Sequence, residues 1–305
     1  MNKKNLILII VLLVLIGVAF IYNGPFKSWQ KTAGQDKNWL AGYDISKITK
    51  LEIKSSGKVT TLEKQGDNYK ISGTKNFFTD KTVASDIEKI LRDAQKDNLQ
   101  IASKNKDRKK DFATDDSGVA VKLFFGDKVQ TDFVAGKMTP DYSSAYISRD
   151  SLDRTYLIPT NLSAIFSRQD WFDHTMFSAD KATIKKIRFQ YPSREFTIEK
   201  QANGEDWKGT LPQAFAVNKD KVAPILDIMA SLQADSIPDQ DFSKTGLDKS
   251  SVIVQATGDG VDNTLMIGND NGKSLYYAKI GKNDNIYLLT KKQHDDLVKR
   301  VEDLK

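Results

Sequence analysis

The chain is predicted to be an α+β protein: two tandem copies of an antiparallel sheet with packed helices, preceded by one transmembrane helix. Three features of its 305 residues carry that prediction. An uncharged apolar segment runs from Leu6 to Tyr22. A short sequence pattern then occurs twice. Within each occurrence, runs of strand type surround one stretch of helical period, and the links between the runs are too short for parallel crossovers.

The first element is the anchor, residues 6–22, LILIIVLLVLIGVAFIY. At about 1.5 Å per residue it reaches about 25 Å, near the lower limit for a bilayer core of about 30 Å. Asn5 and Asn23 mark its ends, and Phe26 and Trp29 follow where interfacial aromatics sit. Lys3 and Lys4 precede it in a tail, residues 1–5, that the positive-inside tendency keeps in the cytoplasm. Gly17-Val18-Ala19 offers small residues to a signal peptidase, but the apolar run continues through Tyr22, so a retained anchor is expected. Residues 23–44, with Gly24-Pro25 and Gly34, read as a tether.

The first copy spans residues 45–168, a connector 169–183, and the second copy 184–305. Ile48-Thr49-Lys50-Leu51-Glu52-Ile53 matches Ile184-Lys185-Lys186-Ile187-Arg188-Phe189. At the same offset Thr61-Leu62-Glu63-Lys64-Gln65 meets Thr197-Ile198-Glu199-Lys200-Gln201, differing only at Leu62 and Ile198, and slightly further on Tyr69 meets Trp207. A helix follows in each copy. Ile87, Ile90, Leu91 and Ala94 fall at i, i+3, i+4, i+7, as do Ile225, Ile228, Met229 and Leu232, with Pro224 near the second helix's start. Alternation resumes at Val119, Val121 and Leu123 and at Val252 and Val254. Gly126-Asp127 and Gly258-Asp259 read as matching hairpin turns. Phe133 to Gly136 pairs with Leu265 to Gly268, Tyr146 with Tyr277, and Tyr156-Leu157 with Tyr287-Leu288. A closing helix in the second copy starts at a capping box, Thr290-Lys291-Lys292-Gln293, with Leu297, Val301 and Leu304 as its apolar face. Each copy thus reads strand-strand-helix-strand-strand-strand-strand-helix.

The order of these motifs resembles a bacterial family catalogued as domain of unknown function 4340. The second copy carries the pattern best: Phe196 to Gln201, Trp207, Gly246-Leu247-Asp248, Ile267-Gly268, Tyr277 and Ile286 to Leu289. In the first copy Tyr69 replaces the tryptophan and a basic stretch replaces Gly-Leu-Asp. The resemblance implies a single-pass envelope protein, often encoded beside ABC-transporter components of the gliding-motility auxiliary type. It implies no catalytic motif.

The candidate sites are few. Without cysteine there are no disulfides, thiol catalysis, cysteine metal sites or lipoprotein anchor. The net charge of +6 suits an anionic surface. His174, in Asp170-Trp171-Phe172-Asp173-His174, is weighed as a metal or acid–base group, but a packed connector is the plainer reading. His294 falls in the first turn of the capped helix and is expected to be exposed. Gly268 to Ser274 superficially resembles a phosphate loop but is one residue short between its glycines and lies between strands, so a hairpin is expected. Gly258 to Asn263 lacks the ligands and glutamate of a calcium loop. Lys104, Lys106, Arg108, Lys109 and Lys110 form a basic run without the interleaved aromatics that single-stranded nucleic acid needs, and read as a solvated loop. Asp115-Asp116 are neighbours in a turn and form no evident catalytic pair.

The sequence therefore assigns no catalytic, cofactor-binding or metal-binding residue, and no enzyme is expected. The leading expectation is a non-catalytic accessory or scaffold at the bacterial cytoplasmic membrane. Its C-terminal region is extracytoplasmic, the lipid bilayer is met through residues 6–22, membrane protein partners come from a transport complex, and nucleic acid is not a partner. A wall or surface glycan module, with Tyr142, Tyr146, Tyr276 and Tyr277 as stacking rings, is the alternative. A dispersed carboxylate enzyme is third.

Overall fold

A computed structural model describes residues 35–202, 204, 206–248 and 252–305. The expected anchor and the tether before Gln35 lie outside the described residues. Among the described residues no helix is long and apolar enough to cross a membrane. The described chain forms two compact units: one runs to Gly73 and resumes over Phe78–Trp171, the other comprises Thr74–Phe77 and Phe172–Lys305. Both are antiparallel sheets accompanied by a few helices, an α+β arrangement.

In the first unit the strands are β1 (Gln35–Asp36), β2 (Lys50–Ser55), β3 (Lys58–Gln65), β4 (Asn68–Ile71), β5 (Leu99–Ser103), β6 (Val119–Phe125), β7 (Lys128–Met138), β8 (Ala145–Ser148) and β9 (Thr155–Ile158). They make one sheet in the order β1-β5-β9-β8-β7-β6-β2-β3-β4. Alternation places Leu51 and Ile53 of β2, and Val119, Val121 and Leu123 of β6, in the core. Helix α1 (Lys81–Lys96) begins at Asp80, whose carboxylate accepts the Thr82 amide at 2.7 Å. It buries Val83, Ala84, Ile87, Leu91 and Ala94, while Ile90 is half-buried. Burying each of its large aliphatic side chains stabilises the fold by about 1.5–3 kcal/mol. Asn38 ends this helix: its amide donates to the carbonyls of Ala94 at 2.7 Å and Asp97 at 2.9 Å. Gln35 to Asp44, placed in the tether from sequence, is thus built into the unit, with Leu40 fully buried beside it. A short helix, α2 (Ser163–Phe166), closes the unit.

The second unit repeats the plan with β10 (Thr175–Ser178), β11 (Ile184–Tyr191), β12 (Arg194–Lys200), β13 (Trp207–Leu211), β14 (Phe215–Ala216), β15 (Ser231–Gln233), β16 (Val252–Gly258), β17 (Val261–Asp270), β18 (Leu275–Ile280) and β19 (Tyr287–Thr290). The large sheet runs β14-β13-β12-β11-β16-β17-β18-β19, and β10 pairs with β15 separately. Helix α3 (Lys219–Ala230) starts at Asn218, whose side chain accepts the Asp220 amide at 2.9 Å. Pro224 lies inside the helix, on its exposed side, where the carbonyl left without its helical partner faces solvent. Helix α4 (Lys291–Leu297) has the expected capping box of Thr290 and Gln293.

Four features differ from the sequence reading. Tyr69 and Trp207 lie on β4 and β13, a third strand before each helix. Leu232 is not on α3: Ser231 turns extended, with φ −137°, and Ser231–Gln233 pairs with Thr175–Ser178. Tertiary strand pairing overrides the helical period there. The turn of the second central hairpin is Asp259-Gly260, because Gly258 still pairs with Val261, whereas Gly126-Asp127 is the turn in the first unit. The apolar face of the last helix also divides, since Val301–Leu304 is a separate 3-10 turn.

The two units share a sharper feature. The pairing slips by one residue just after Ala135 on β7 and just after Ile267 on β17. The next residue is Gly136 in one and Gly268 in the other. A Cβ on Gly136 would stand 2.3 Å from the Phe112 carbonyl oxygen, and one on Gly268 would stand 2.1 Å from that of Thr245. In each unit a loop preceding the central hairpin lies directly on these glycines. Gly258 is equally tight, since a Cβ there would stand 1.9 Å from the Thr183 carbonyl oxygen. Gly258→Ala is expected to destabilise the protein by about 1–3 kcal/mol through overpacking. The midpoint of urea unfolding measures this, and an unchanged midpoint would contradict the packing.

Candidate functional site

The candidate site lies in the first unit, where the loop from β5 to β6 returns over the sheet. Asn105 caps a 3-10 helix, Lys106–Phe112, by accepting the Asp107 amide at 2.9 Å. Ala113 ends it in the left-handed region, φ 53°. Thr114 then turns inward and is buried: its amide donates to the Lys109 carbonyl at 3.0 Å, and its hydroxyl lies 3.2 Å from that of Thr155. The Ser148 hydroxyl donates to the Thr114 carbonyl at 2.8 Å. These bonds fasten the loop to β8 and β9, and Gly136 lets its backbone approach β7.

The fastened loop and the outer residues of β2 and β6 enclose a cavity of about 490 Å³. Its cationic lining is Lys54, Lys106, Lys109 and Lys122; its acidic lining is Glu52, Asp115, Asp116 and Asp150. Val59, Ala120 and Val134 give it apolar wall. The basic run predicted as a solvated loop is therefore divided by the three-residue period of the 3-10 helix. Lys106 and Lys109 turn to the cavity. Arg108 turns away, pairing with Asp111 at 3.1 Å. Lys109 is 9% exposed, which corrects its assignment to solvent. Its ammonium donates to the Arg149 carbonyl at 3.2 Å.

The acids are held differently. Asp115 accepts the Ser117 hydroxyl at 2.6 Å and the Ser117 amide at 3.2 Å, and these bonds, the hydroxyl foremost, hold its carboxyl below the usual range. Asp116 meets Lys54 at 3.4 Å in an exposed pair that contributes little. The two neighbouring acids thus have separate partners.

The other candidates are dispersed. His174 shares contacts with Ala234: its ring nitrogen lies 3.1 Å from the Ala234 carbonyl, and the Ala234 amide donates to the His174 carbonyl at 2.8 Å. His294 is half-buried, correcting the exposure expected of it, because its ring stacks on Tyr276 at 3.7 Å and meets Asp295 at 2.9 Å. The segments Gly258 to Asn263 and Gly268 to Ser274 are hairpins as expected, but Gly258 and Gly268 lie on β16 and β17, and the connections are Asp259-Gly260 and residues 271–274. Tyr142, 78% exposed, and Tyr146 line a second hollow with Phe112. Tyr277 is half-buried on β18. Among the described residues no group of three His, Asp or Glu side chains is placed to hold a metal ion.

One polar cluster escaped the sequence reading. Asp36 accepts the Tyr156 hydroxyl and an Arg154 guanidinium hydrogen, each at 2.6 Å. The residues are far apart in sequence, and only β1-β5-β9 pairing brings them together.

Two antiparallel sheet units, each with a loop seated on a matching glycine, define the class of protein. Residues 71–212 and 207–305 match the family described as Domain of unknown function (DUF4340), and the chain belongs to that family. No curated protein and no solved structure matches the chain.

The Asp36 cluster gives a pH prediction. The Tyr156 hydroxyl and then Arg154 hold the Asp36 carboxyl below its ordinary value. Its stabilisation is present above the unfolded carboxylate value of about 4 and is lost as pH falls through the lower folded value. Burial, and then Asp36, push Tyr156 up to about 12. That contribution is present below the unfolded tyrosine value of about 10 and is lost as pH rises through about 12. In an ultraviolet titration, Tyr156→Phe is therefore expected to remove one phenol ionising near pH 12. Loss of a phenol titrating near 10 would contradict the cluster.

Proposed function

We propose that this protein is a single-pass, membrane-anchored envelope protein, a non-catalytic accessory or scaffold of an ABC-type transport or gliding-type complex. In this reading residues 6–22 span the bacterial cytoplasmic membrane, and two tandem copies of one α+β unit stand on its extracytoplasmic side. The observation that carries it is the uncharged segment Leu6–Tyr22 ahead of a family domain that fills most of the remaining chain. Such a segment is more stable in hydrocarbon than in water. The shared strand order and the matched glycines support a duplicated unit. A duplicated sheet offers two related surfaces at one membrane site, as a scaffold requires.

A specific hollow favours glycan recognition as the second reading. Asp141 accepts the Thr139 hydroxyl at 2.6 Å and the Ser143 hydroxyl at 2.8 Å, with its carboxyl lowered to about 2 chiefly by those bonds. This turn holds Tyr142 at φ 58° in solvent, near the Phe112–Tyr146 ring pair, whose centroids are 4.5 Å apart. Exposed rings fixed in this way suit stacking on a sugar face.

Purification in mild detergent is expected to recover transporter subunits with the full chain, and protease added to spheroplasts is expected to digest residues 45–305. Recovery of a lone monomer, together with a protected C-terminal region, would contradict the scaffold reading. Saturable retention on a wall fraction, lost in Tyr142→Ala, would favour the glycan reading instead.

A further inference from the structure

We propose that the cavity of the first unit binds a short zwitterionic peptide, with the peptide's terminal carboxylate seated on Lys109. The proposal rests on the cavity alone and holds whether or not the scaffold reading does.

Lys109 is the anomaly. A lysine ammonium carries three donors, and here one meets the Arg149 carbonyl at 3.2 Å. The residue is more than nine-tenths buried. Removing an ion from water costs several kcal/mol unless a counter-charge and hydrogen bonds replace the water. Among the described residues no carboxylate forms an ion pair with it. Three neighbours are engaged elsewhere, Asp116 with Lys54 at 3.4 Å, Lys106 with Asp153 at 3.7 Å and Asp115 with Ser117, while Asp150 shares the lining without forming an ion pair with Lys109. A buried cation lining a cavity with two donors to spare is arranged for an incoming anion.

The remaining walls select which anion. Four lysines face four acids, so the lining is electrically balanced. A phosphate, with its charge of about −1.5 to −2, meets those acids unfavourably. A single carboxylate at Lys109, joined to an ammonium that reaches Asp115, Asp116 or Asp150, satisfies both signs. Val134 and the exposed Val59 offer apolar contact to small side chains between the two charges. A cavity of about 490 Å³ is larger than a single small amino acid and suits a short peptide. Capture of a terminal carboxylate is an established mode of peptide recognition.

The fold does not need this charge. Lys109→Met keeps the stem that fills the space and removes the buried ion, so the variant is expected to melt at or above the temperature of the unchanged chain.

The test is calorimetric titration of the full chain in nanodiscs with four probes: trialanine, trialanine amide, acetate and inorganic phosphate. Trialanine is expected to bind saturably. Its affinity should fall at least tenfold when its carboxylate is amidated, and at least tenfold in Lys109→Met. Acetate should bind more weakly than trialanine, and phosphate more weakly still. Equal binding of trialanine and its amide would overturn the proposal, as would binding undiminished in Lys109→Met, preference for phosphate, or no binding of any probe. The amide comparison uses the unchanged chain, so it stands even if the variant fails to fold. A failed peptide titration beside intact co-purification would reject this site and leave the scaffold reading standing.

Discussion

Close approach of a loop to a glycine in the middle of a sheet is the constraint on which both units depend. β7 and β17 each carry a residue whose missing Cβ leaves room for a carbonyl oxygen of the crossing loop. The adjoining register slip turns the strand so that the loop and the neighbouring strand both fit. In the second unit the loop's gain is visible in one bond, the Asn269 amide donating to the Thr245 carbonyl at 2.7 Å. In the first unit the same seat inverts Thr114 into the core and encloses Lys109. The cavity is a consequence of the seat.

The difference between the units follows from the loop's composition. Gly246-Leu247-Asp248 in the second unit places Leu247 in the core, where it needs no counter-charge. The first unit replaces that segment with a basic 3-10 helix, and a lysine takes an inward place. Counted from the loop residue that meets the glycine, Phe112 or Thr245, the buried Leu247 corresponds to the buried Thr114, and Lys109 is an additional inward charge of the first unit. The copy that departs from the family pattern in sequence is therefore the one with an unusual cavity.

Much of the fold was legible because it follows from period. Ile87, Leu91 and Ala94 mark a buried helical face, and Val119, Val121 and Leu123 mark a buried strand face, whatever surrounds them. Thr290 and Gln293 announce a helix start because their capping bonds are local. What failed is non-local. Leu232 continues a helical period, yet strand pairing with residues 175–178 takes it. Gly258 reads as a turn glycine, yet it is held in the ladder by the nearness of Thr183. The site was less legible still. A run of lysines looks uniformly solvated when read linearly, and its division appears only with a three-residue turn. The i, i+3 spacing of Lys106 and Lys109 was the available signal, and it carries meaning only once a 3-10 helix is known.

Absence of a side chain at Gly136 seats the loop that builds the cavity. The decisive experiment is hydrogen exchange, followed by mass spectrometry, of the full chain carrying Gly136→Ala. Faster exchange is expected over residues 105–118, while the amides of β2 and β3 keep their protection. Exchange over 105–118 identical to that of the unchanged chain would show that the loop is held by something else.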